Sequence, residues 1–271
     1  SLISAVFLIG PVIGPLVAEA ILRAASWRWV YAVGLLFSVA ITAMSFRFGE
    51  TLDPAHRRPL RLGPTIAAAR RVFGCRRSML YIAALTFADG AFLLFLTSTQ
   101  QVFDIVYGRA HQFAVLFAAT AIVGGIAFLL LNPAIGRWGS HPVGLAAVGS
   151  ALIVNTVLLI LTMASNGVPN FWIWFILMML GSTLLSLLTP VALSCALEPL
   201  GDVAGTATGV LGLGFITCGS LLSAVVSMRI GETTTPWAIG AVGYGSISLA
   251  FLFMAGRAPD PIDAEPTMAH G

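Results

Sequence analysis

Asp89 is the residue best placed to do chemistry. It stands about ten residues into an apolar run from Met79 to Phe103, roughly 15 Å deep at 1.5 Å per helical residue. A carboxyl at that depth is costly unless it faces a cavity or a partner. There it can take up a proton or attract a cationic substrate; otherwise it is a neutral carboxyl bonded to a neighbouring helix. Gln100 lies eleven residues on, three turns away on the same face, with Phe92 and Leu96 between. An acid, an amide and an apolar wall suit a cavity for a small amphipathic molecule.

A second pattern precedes it. Gly10, Gly14 and Ala18 recur every four residues, so one face of their helix is small and lets another helix approach. Pro11 and Pro15 each remove a backbone donor and bend that helix. Glu19 follows, with Arg23 four residues later, the spacing of an interfacial ion pair. Asn155 stands mid-span and is expected to make a packing hydrogen bond. Gly205, Gly209 and Gly212 are expected to serve close helix packing. Thr189-Pro190 predicts a kink. Cys75, Cys195 and Cys218 form neither a CxxC nor an even set, which predicts small buried hydrophobes rather than disulfides or a zinc site.

Enzyme motifs are missing. There is no HExxH, GxSxG or GxGxxG, and a phosphate loop needs a Lys that the chain lacks. Four scattered His predict no metal site, and no cofactor is implied. A membrane enzyme would need acidic or histidine motifs at helix ends, and none is present.

These residues must be held by helices in lipid. The chain is 58% hydrophobic and 9% charged, with mean hydropathy +0.95. A soluble surface needs roughly a quarter of residues charged. Eight runs are long enough to cross a core about 30 Å thick: Ser1–Leu22, Trp29–Phe46, Met79–Phe103, Phe113–Ile135, Val143–Ala164, Phe171–Leu197, Val203–Met228 and Trp237–Ala255. They are continuous rather than alternating, so helices are predicted instead of a barrel. Trp27, Trp29, Tyr107, Trp138, Trp172, Trp174 and Trp237 lie near run ends, where such rings favour the membrane interface.

All fourteen basic residues are Arg, and eight of them fall between Arg47 and Arg77. Placing that loop inside puts ten Arg on the inner side and four on the outer. Anionic lipid explains the positive charge, and nucleic acid does not. Leu62, Ile66, Ala69 and Phe73 recur at helical spacing, consistent with either a short interfacial helix or a plain linker. The tail from Arg257 to Gly271 reads as disordered. The apolar start at Ser1 reads as the edge of a helix with an upstream part missing.

The stretch Gly10-Pro11-Val12-Ile13-Gly14-Pro15 resembles the antiporter motif in the fifth helix of the major facilitator superfamily. Gly10, Gly14 and Pro15 match; Ala18 and Glu19 stand where closing glycines would. Gly49-Glu50-Thr51-Leu52 is similar to the start of the central loop of its drug:proton antiporters. Tyr107-Gly108 with Gln112-Phe113, and Ala204-Gly205-Thr206-Ala207 with Gly209, Gly212 and Gly219, are similar to joints of the Bcr/CflA multidrug exporters. Gly136-Arg137-Trp138-Gly139 resembles a second copy of the superfamily's cytoplasmic motif.

The resemblance implies an all-α polytopic membrane protein with a partial major facilitator fold, its eight transmembrane helices being five to twelve of twelve. Residues 1–46 would be the last two helices of the N-terminal half, 47–78 the central linker, 79–256 a six-helix bundle and 257–271 the tail. It implies export of small amphipathic compounds in exchange for protons by alternating access, in the bacterial inner membrane, together with the missing N-terminal helices. The alternatives are a carrier of a metabolite or sugar, and a non-transporting remnant.

Overall fold

Lipid offers no hydrogen bonds, so a chain crossing it must satisfy its backbone internally. The protein does so with helices throughout. Its structure, a computed structural model, describes residue 14, residues 17–47, residue 70 and residues 72–258, with backbone only at 201–204 and 206. Among the described residues there is no strand. Residues 17–24 are helical. The helices that follow are α1 (Trp27–Arg47), α2 (Arg76–Gln101), α3 (Phe113–Trp138), α4 (Ser140–Ala164), α5 (Phe171–Ser186), α6 (Leu188–Leu197), α7 (Ala204–Ser227) and α8 (Thr235–Gly256).

Seven of the eight predicted spans are therefore met by helices long and apolar enough to cross a membrane. The first run, with Gly10 and Pro15, lies outside the described residues save for its end. So do the interior of the Arg-rich loop and the tail from residue 259. Gly14 is described, and a side chain there would meet nothing within 4 Å.

From Arg76 onward the helices form a bundle centred on α2. Helix α2 packs on α7, α8, α6 and α5, and α4 joins α8 to α5. None of the residues of α1 is buried. Cross-helix hydrogen bonds tie the bundle together. The Ser78 hydroxyl donates to the Ala196 carbonyl at 2.7 Å, Ser248 to Ala84 at 2.8 Å, and Tyr244 to Leu222 at 2.8 Å. In lipid such bonds contribute about 0.6 kcal/mol each.

Two glycines make the sharp corners. Gly139 alone separates α3 from α4, at φ +84°, with its N–H closing on the Ile135 carbonyl at 2.8 Å. Only glycine takes that left-handed turn without strain. Gly167, at φ +90°, follows α4 and accepts from the Thr234 N–H at 2.9 Å, which joins the loop before α5 to the loop before α8.

The predicted kink at Thr189-Pro190 is present as a break at Leu187 between α5 and α6. Pro190 has no N–H to give the Ser186 carbonyl four residues back, so the helix breaks one turn before the proline.

Several expectations are corrected. Trp174 and Trp237 do not present their rings to lipid but are buried among helices, at 0% and 1% exposure. They fill one end of the bundle beside Phe103, Phe171 and Phe175. Cys218 is exposed, not buried, because α7 touches the bundle along a narrow stripe. Glu198 is exposed and lies 3.6 Å from Arg77.

Asn155 is buried, but neither of its amide atoms has a hydrogen-bond partner among the described residues. It lies flat against Gly181 of α5, where a Cβ would collide with the amide. An unpaired buried amide is a liability, and replacing it by an apolar group of similar shape relieves the desolvation penalty. Asn155→Leu is therefore expected to melt in detergent at or above the wild-type temperature. A fall of several degrees would show that the amide has a polar partner after all.

Candidate functional site

Asp89 sits three residues, a little under one turn, before Phe92 on α2, the helix that most of the bundle surrounds. Its position follows from the stripes of that helix. Leu85, Ala88, Ala91, Leu94 and Phe95 point inward and are buried. Asp89 and Phe92 are half-buried, while Leu96 and Gln100 are exposed, Leu96 at 40%. These four residues fall within about a third of the helix circumference at 100° per residue, on a face that α7 flanks at Asp89 and that opens toward Leu96 and Gln100.

On one flank this face meets α7. A Cβ built on Gly219 would lie 3.1 Å from Asp89 Oδ2 and 3.3 Å from the Gly90 N. One built on Gly90 would lie 3.1 Å from the Leu222 Cβ. Two glycines thus let α2 and α7 cross at the level of the acid. Two turns along, Thr97 Oγ1 and Ser223 Oγ are 2.9 Å apart. Thr97 already donates to the Leu93 carbonyl at 2.8 Å, so Ser223 is the donor of the pair. Gln101 Nε2 donates to the Ile230 carbonyl at 3.1 Å.

Sequence spacing singles out Asp89 and Gly219 separately and does not pair them. It does not single out Gly90, Thr97 or Ser223 at all. Gly90 directly follows the acid, which is the available signal. Gly205, Gly209 and Gly212 meet nothing within 4 Å among the described residues. Glu19 pairs with Arg23 four residues later, as its spacing predicts.

Beyond Gln100 the helix passes into a π-helical turn, Val102–Val106. Phe103 is surrounded edge-on by Phe113, Phe171, Trp174 and Phe175, with ring centroids 5.2 to 5.9 Å apart. Tyr107 donates to the Pro169 carbonyl at 3.1 Å, and burial pushes its phenol well above the ordinary tyrosine range. Arg109 stacks on Phe171 at 4.6 Å. This end of the bundle is thus an aromatic plug.

The opposite end is polar. A cleft of about 520 Å³ is lined by Arg77, Ser140, His141, Ser194, Cys195 and Glu198, among others. Tyr81 Oη and His141 Nδ1 are 2.9 Å apart there. No three His, Cys, Asp or Glu among the described residues come together as a metal-binding group.

Seven membrane-length helices, with a half-buried acid on the central one, define a multi-pass helical membrane protein. The chain belongs to the Major Facilitator Superfamily, whose family profile matches residues 1–224. It is 28% identical over 244 residues to an uncharacterized MFS-type transporter, YdgK, of Bacillus subtilis, covering 86% of this chain and 58% of that protein. It is 24% identical over 265 residues to a bicyclomycin resistance protein homolog of Haemophilus influenzae, covering 95% of this chain and 65% of that protein. The chain therefore spans less than two thirds of either relative's length. No solved structure matches it. The Bcr/CflA-like resemblance read from the motifs agrees with the Haemophilus relative.

Proposed function

We propose that the chain is part of a secondary transporter that exports small amphipathic compounds in exchange for protons. The observation that carries this reading is Asp89, a half-buried, membrane-depth carboxyl on the bundle's central helix, beside a face that opens toward Leu96 and Gln100. Such acids are kept where a proton or a cation must be handled. Phe92, Leu96 and Gln100 would give the same wall its apolar and amide character. The name of the Haemophilus relative supports a drug-like substrate.

In this reading residues 79–256 form one half of the carrier, and 1–46 end the other half, reached through the linker at 47–78. Helices preceding this chain in the same protein would complete the site between the halves, and the halves would rock to alternate access. The Arg bias supports an inner-membrane protein with that linker inside.

The test uses the protein expressed from its complete reading frame in proteoliposomes, with ethidium as an amphipathic cationic probe. Imposing a proton gradient should drive ethidium transport, and a protonophore should stop it. Transport unchanged by the protonophore would refute proton coupling.

A further inference from the structure

We infer that Gly219 is a positioning residue for Asp89, leaving room for its carboxylate in the seam between α2 and α7. The inference rests on the proposed role of Asp89 and adds a second helix to that site.

The geometry singles out Gly219 among the glycines of α7. At Gly205, Gly209, Gly212 and Gly214 a Cβ would have no neighbour within 4 Å, whereas at Gly219 its nearest neighbour would be Asp89 Oδ2, at 3.1 Å. The next two are backbone, Gly90 N at 3.3 Å and the Asp89 carbonyl carbon at 3.5 Å. The backbone is fixed by α2, so the carboxylate is the group able to move. Helix α7 carries no charged residue that could hold it otherwise. The Ser223–Thr97 hydroxyl pair lies further along the same seam and pins the two helices at that spacing. A methyl at position 219 would therefore press the carboxylate a few tenths of an ångström away from α7, toward the open face.

Gly90 supplies the control. A methyl there enters the same seam, but its nearest neighbours are the Leu222 Cβ at 3.1 Å and Cδ1 at 3.2 Å, not the acid. The full-length protein in detergent is treated with a water-soluble carbodiimide, and modification of Asp89 is followed by mass spectrometry. In Gly219→Ala the rate should rise about threefold or more, because the displaced carboxylate gains water. In Gly90→Ala it should stay near the wild-type rate. A wild-type rate in Gly219→Ala, or equal rises in both variants, would overturn the positioning role.

Should Gly219→Ala fail to accumulate, Asp89→Ala is added to it. Recovery of the double variant supports a clash with the carboxylate. Continued absence assigns the clash to the Gly90 backbone and overturns the inference. These results are separable from the proposed function. Wild-type transport by Asp89→Asn would remove the role of the acid and leave the labelling result standing.

Discussion

Asp89→Asn is expected to lower transport of ethidium by about tenfold or more, a loss of about 1.4 kcal/mol or more from the rate-limiting barrier. Accumulation and melting temperature should stay at wild-type values. The amide has nearly the shape of the carboxyl, so it fits beside Gly219 with the same contacts. It cannot release a proton or carry a charge, and only those two properties are removed. A carboxyl that merely packed against α7 would lose nothing by the change. Wild-type transport in Asp89→Asn would therefore refute the proposed role. A parallel fall in transport and accumulation would assign the acid to stability.

The largest effect on stability is expected at Phe103. Its ring is fully buried and meets four other rings edge-on. Phe103→Ala should cost about 3 kcal/mol, the low end for such truncations. The low end applies because unfolded helices face lipid, which is as apolar as the core. What is lost is ring–ring geometry and cavity filling, not transfer out of water. Melting in detergent should drop by roughly 5–10 °C. Phe103→Leu, which refills much of the cavity, should fall less. Equal losses in the two variants would place the energy in the aromatic geometry alone, and no loss in Phe103→Ala would refute the plug.

The spans were readable because lipid imposes length and apolarity on any helix that crosses it. Their ends were less so. Helix α4 starts at Ser140 rather than Val143, and α2 at Arg76 rather than Met79. Hydropathy stops at the headgroups, but the backbone continues to pair through them. The Trp174 and Trp237 error has a similar cause. In a membrane sequence an interior face and a lipid face are equally apolar, so a ring near a run end can belong to either. The break at Leu187 was legible from Pro190, since a missing donor acts locally. The meeting of Asp89 with Gly219 was not legible. It depends on which two helices cross and at what height, and neither glycine spacing nor depth along one run contains that information.

Gly139 has a consequence for how the chain enters the membrane. A corner of one residue leaves α3 and α4 no slack to be threaded separately. The two are expected to insert as one hairpin, and by the Arg bias Arg137, beside the bend, would be the charge that stays behind. Topogenesis of this pair is then a single event.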